Sequence, residues 1–158
     1  MADGIISHVS GPWSGRHHST HIFIHSKLPR VLGDLPNMPV EDGGKPIAVY
    51  ADSGYALNER IFMPYPDGRL DADHNTFNRS MADKGIRVKW GYERIQLLWQ
   101  SLNFSTNQRI LKCPVAAWHM CAVLFTNAVT CIDEGNDVSR FFGCRPPQLG
   151  TLFSTLSQ

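Results

Sequence analysis

The chain has 158 residues, 42% of them hydrophobic and 18% charged, with 15 basic and 14 acidic side chains and a net charge of +1. That size and balance suit one folded domain over residues 1–158 and exclude a disordered chain. A dedicated nucleic-acid binder carries a basic excess that is missing here, so any contact with nucleic acid must come from a local patch.

Cys113, Cys121, Cys131 and Cys144 form no Cys-x-x-Cys pair, which argues against a zinc ribbon or finger. The first residues show neither the basic start nor the apolar core of a secretion signal. The thiols are therefore expected to be reduced, in a nuclear or cytoplasmic protein. Pro114 to Ile132 approaches membrane-spanning length, but it contains His119, Thr126, Asn127 and Thr130. A buried helix, and no membrane, is the expectation.

Taken in order, Asp3-Gly4 reads as a turn before a strand, Ile5 to Ser10. Asp-Gly ahead of an apolar run is a hairpin signal whose other arm would precede Asp3, so the chain is expected to start inside a structural unit. Arg16-His17-His18-Ser19-Thr20-His21 follows a Gly-Pro-Trp loop. Ser19 or Thr20 is expected to cap a short helix running to about Leu28, on which His17, His21 and His25 share one face. Two histidines so spaced can hold a metal, although a polar helix face is the commoner outcome. Leu28 to Lys45, rich in proline and glycine, reads as a loop.

Pro46 to Ala51 is a short β-favouring run that ends in Asp52-Ser53-Gly54. This predicts a buried strand whose last residue is a carboxylate, followed by a tight turn. Ligands in open α/β sheets gather at such strand ends, while Asp and Ser before Gly also simply favour turns. Leu57 to Ile61 predicts one helical turn.

Asp71 to Lys84 predicts a helix capped by Asp71 or Asp73 and ended by Gly85. Ile86 to Gln100 predicts a second, burying Val88, Tyr92, Ile95 and Trp99 along one stripe, with Lys89, Glu93, Gln96 and Gln100 on a polar one. Lys89 and Glu93 are spaced to pair, for a few tenths of a kcal/mol. Asn107 to Lys112 predicts a short turn. Val115 to Cys131, apolar nearly all round, predicts the most buried helix, ended by Gly135. Phe141 to Pro147 predicts a turn before a last short helix reaching about Leu156.

Several of these stretches line up with one family. Asp3-Gly4-Ile5-Ile6, Gly11-Pro12 and Gly15-Arg16-His17-His18 are followed by Tyr50-Ala51-Asp52-Ser53-Gly54-Tyr55 and Phe77-Asn78-Arg79-Ser80-Met81. Arg87-Val88-Lys89-Trp90-Gly91-Tyr92, Leu124-Phe125-Thr126-Asn127, Thr130-Cys131 and Phe141-Phe142-Gly143 with Pro146-Pro147 complete the series. In this order and spacing they resemble the nuclease domain of Harbinger-type transposases, a branch of the DDE endonuclease superfamily.

The resemblance implies an α/β, RNase H-like fold, here partial. A short mixed sheet would lack the family's first strands, and the C-terminal half would be helical. It implies DNA as substrate and three carboxylates holding two divalent ions, Mg²⁺ or Mn²⁺. It also suggests a separate DNA-binding partner protein, for the chain shows no recognition module of its own. Asp52 matches the second acidic position. The first would lie on a strand upstream of Asp3-Gly4. The third is occupied by Lys89, whose ammonium offers donors but no acceptor. Ser19 stands where the family has an aspartate after His18.

Glu93 lies one turn beyond Lys89, about 6 Å along the axis, too far to replace a ligand that must sit about 2 Å from the ion. A transposase-derived nuclease domain that no longer cuts is therefore the leading expectation. An active nuclease completed by another chain segment is a second reading. A non-catalytic DNA- or protein-binding module reused by the host is the third, with Arg79, Lys84, Arg87 and Arg94 as candidate phosphate contacts.

Overall fold

The computed structural model describes residues 1–34, 48–55, 60–66, 68, 70–102 and 114–155. Its elements are α1 (Ser19–His25), α2 (Leu28–Asp34), β1 (Val49–Tyr50), β2 (Ile61–Phe62), α3 (Ala72–Leu98), α4 (Val115–Ile132), α5 (Asp137–Phe142) and α6 (Leu149–Thr155), with a 3₁₀ turn at Gln100–Leu102. The architecture is mixed and helix-rich, with a two-stranded parallel sheet among the described residues. The chain divides into two compact units. The central unit is Ser10–Gly85; the terminal unit joins Met1–Val9 to Ile86–Gln158.

In the central unit, β1 and β2 pair Val49 with Ile61 and Tyr50 with Phe62. Ile61 is buried, but Tyr50 and Phe62 stand exposed, so the strand before Asp52 is not the buried one expected. Tyr50, Phe62, Tyr65 and Phe77 form a chain of neighbouring rings. The expected loop from Leu28 begins instead as α2; residues 35–45 lie outside the described residues. The expected turn at Leu57 to Ile61 falls partly outside them as well, and Ile61 itself belongs to β2.

Two helices were expected between Asp71 and Gln100; α3 is one, of 27 residues. Asp71 caps it as foreseen, its Oδ1 accepting from the His74 N–H at 2.8 Å. A glycine inside a helix costs about 1 kcal/mol, less than breaking and recapping the backbone ladder. The helix therefore runs through Gly85, and the signal read there marks the division between units instead.

The terminal unit packs Ile95, Leu102, Ala122 and Val123 together, with Ile6, Val9 and Trp99 against them. Of the expected stripe on α3, Ile95 is buried, but Val88 and Tyr92 are exposed. The expected strand at Ile5 to Ser10 is not a strand among the described residues, although Ile5 is buried. The Asp3-Gly4 turn does form, closed by a Gly4 N–H bond to the Met1 carbonyl at 3.0 Å.

α4 departs most from its sequence. It is long and apolar enough to cross a membrane by composition alone. Yet its buried stripe includes Thr126, Asn127 and Thr130, while Trp118, Met120, Leu124, Phe125 and Ile132 are exposed. Each buried polar side chain is satisfied, as burial requires. Trp99 Nε1 donates to Thr126 Oγ1 (2.9 Å), and the two threonine hydroxyls donate to the Ala122 and Thr126 carbonyls.

α4 ends close to Gly135, whose N–H reaches the Thr130 carbonyl at 2.9 Å. α5 was not expected, and only its last two residues, Phe141 and Phe142, fall in the turn expected at Phe141 to Pro147. Asn136 and Ser139 start α5 with a reciprocal capping box, and Gly143 stops it in the left-handed region. The expected turn at Asn107 to Lys112, and Cys113, lie outside the described residues.

Candidate functional site

Asp52 lies beyond β1, separated from it by Ala51, so it does not end the strand as expected, and it is exposed. Its Oδ1 accepts from the Ser53 N–H at 2.8 Å, and its carbonyl accepts from the Tyr55 N–H at 3.2 Å. This is a side-chain-capped turn, the local habit of Asp-Ser-Gly. The turn docks on α1: Thr20 Oγ1 donates to the Gly54 carbonyl at 2.8 Å, and Phe23 meets the Tyr55 ring edge-on. Two stretches far apart in sequence, the histidine-rich element and the Asp52 turn, are thus neighbours in the central unit.

α1 is capped by His18, one residue earlier than expected, its Nδ1 accepting from the Thr20 N–H. His21 and His25 share a face of α1, and His17, which precedes the helix, stacks on His21. Their rings stack at 4.5 and 4.1 Å, and Trp13 presents an edge to all three. Loss of hydration in the stack, followed by the neighbouring His25 and His17, lowers the His21 pKa from its ordinary value.

Lys89 and Glu93 belong to the terminal unit, both exposed on α3, and no ion pair joins them among the described residues. Glu93 lines a shallow groove of about 250 Å³ with Trp90, Arg94, Leu97 and Asp137. The basic residues divide. Arg94 holds Asp133 at the end of α4, at 3.0 Å. The Arg87 guanidinium lies over both Trp90 and Phe141, 4.4 and 4.3 Å from the ring centres. Arg79 is exposed, and Lys84 Nζ donates to Ser80 Oγ at 2.8 Å on the α3 surface.

Three asparagines are functional in the fold and were not anticipated. Asn127 accepts the Ile6 N–H and donates to the Ile6 carbonyl, both at 2.9 Å. Asn136 donates to the Gly4 carbonyl at 3.0 Å as well as capping α5. Asn78 holds Tyr65 as Asn127 holds Ile6, at 2.8 and 3.0 Å. For Asn127 the available signal was an amide inside an apolar run, which must find partners once buried.

A family model described as DDE superfamily endonuclease matches residues 1–126. The chain belongs to that family, whose members are nuclease- and transposase-like and act on DNA. No curated protein and no solved structure matches the chain.

Such nucleases use divalent metals. Among the described residues, the Asp52 carboxylate is engaged in its own turn, accepting from the Ser53 N–H. Among the described residues, no group of three or more His, Cys, Asp or Glu is arranged to hold a metal.

Proposed function

We propose that this chain is a Harbinger-type, transposase-derived endonuclease domain, built on an RNase H-like plan, that does not cut DNA. The observation that supports the reading is Lys89. A carboxylate there would balance the charge of a bound cation; an exposed ammonium repels it and offers no lone pair. Glu93, one turn further along α3, lines a groove with Arg94 and Asp137. In this reading Asp52 remains as a turn residue of the former site, and the protein belongs in the nucleus or cytoplasm.

The test is nicking of supercoiled plasmid in Mg²⁺ or Mn²⁺. The wild-type chain is expected to give none above background. Metal-dependent nicking abolished by Asp52→Asn would overturn the reading. A second reading, a non-catalytic DNA-contacting module that works with a separate partner protein, is favoured by the exposed Arg79 and the surface Lys84 of α3. It requires DNA binding that weakens steeply with salt and is reduced by Arg79→Ala.

A further inference from the structure

The histidines of α1 take no part in the function proposed above. We propose that His21 and His25 form a two-point site on the helix surface for a divalent transition ion such as Ni²⁺, Zn²⁺ or Cu²⁺. The inference does not rest on the nuclease reading and concerns a different kind of ligand set. It uses imidazole nitrogens, which suit these ions, rather than carboxylates, which suit Mg²⁺ or Mn²⁺.

Two observations carry it. First, the pair is one helical turn apart within α1, the spacing at which two imidazoles on one face hold one ion. Their ring centres are 4.1 Å apart and both side chains are exposed, so small rotations about the side-chain bonds turn parallel rings into converging ones.

Second, the tautomer of His25 is set. Its Nδ1 lies 2.9 Å from the His21 carbonyl, and because a carbonyl only accepts, Nδ1 must carry the proton. Nε2 of the neutral ring is then left with its lone pair outward. A ligating histidine ordinarily has this support, its other nitrogen donating to a backbone carbonyl.

His18 already accepts a backbone N–H through Nδ1 and acts as a cap. With two protein ligands, water completes the coordination sphere. The site is therefore open rather than a closed structural centre.

Trp13 supplies the readout, since its ring centre lies 6.2 Å from His21 and 6.5 Å from His25. The experiment titrates the full-length chain with NiCl₂ and follows tryptophan emission and heat. Cys121→Ser and Cys144→Ser are both present, so that these exposed thiols do not compete. One saturable equivalent with quenching is expected. His21→Ala or His25→Ala should weaken it about a hundredfold, the advantage of a second ligand already in place. Alanine favours helix, so both variants should keep α1.

His119→Ala, on α4, should change nothing. Trp13→Phe should abolish the quenching while the heat of binding remains. Nickel binding undiminished in the His21→Ala, His25→Ala double variant would overturn the proposal. So would the absence of saturable binding to the parent chain.

Discussion

Asn78 and Asn127 each grip one residue of an extended segment by both its N–H and its C=O, one in each unit of the molecule. In the central unit the gripped residue, Tyr65, is 13 positions away and the bonds lie at the surface. In the terminal unit it is Ile6, 121 positions away, and Asn127 is only 5% exposed. The same two hydrogen bonds therefore do different work. At the surface, water replaces them at little cost. In the interior nothing replaces them, and an orphaned buried amide loses its full hydration energy. By the logarithmic law of loop closure, joining the more distant residues also costs about 2 kcal/mol more chain entropy. The terminal unit offsets that with a second asparagine, Asn136, on the Gly4 carbonyl.

The sharpest way to break the comparison is Asn127→Ala. It strands the Ile6 N–H and carbonyl and should cost about 3 kcal/mol in a denaturant titration. Amide exchange at Ile6 should rise in step. A loss no larger than that of Asn78→Ala would mean that burial does not distinguish the two grips.

Gly4→Ala should follow, at about 2 kcal/mol. Gly4 has φ +80°, and a Cβ there would strike the amide of Asn136. A thermal melt and exchange at Ile6 report it, and the loss should shrink when Asn136→Ala is already present, because the collision has gone. Asn78→Ala should cost about 1 kcal/mol or less and leave exchange at Ile6 unchanged.

The smallest effect is pH-dependent and belongs to the central unit. The His21 pKa is lowered in the folded chain, so the unfolded chain binds the proton more readily. Stability from this group is then complete above the unfolded value of about 6.5 and declines as pH falls below it. Protection within α1, taken relative to the intrinsic exchange rate at each pH, should fall on acidification through that range, and His21→Gln should flatten the response.

The family motifs and the structural grips coincide in part. Asn78 and Asn127 both lie in stretches that carry the resemblance to transposase nucleases, and both hold backbone. The Asp52 turn, the Asp71 cap and the shared face of His21 and His25 were legible because each follows from residues a few positions apart. Gly85 was read as a helix end; it marks a boundary between units inside an unbroken α3. α5 was missed because Asn136-Asp137-Val138-Ser139 is a short capping signal without an apolar run behind it.

α4 draws the line between the two kinds of information. Its existence, place and approximate length follow from 18 consecutive residues without a breaker, and family membership follows from ordered motifs; the sequence alone determined both. Which side of α4 faces inward was settled only by tertiary structure. Hydrophobicity nearly all round gives no preferred face, so the choice fell to Thr126, Asn127 and Thr130. The two threonine hydroxyls are satisfied by carbonyls of α4 itself, but the Asn127 amide could be buried only where the Ile6 backbone met it. A side-chain amide can satisfy the backbone of any residue whatever its side chain, so a bond across 121 positions leaves no local trace to read.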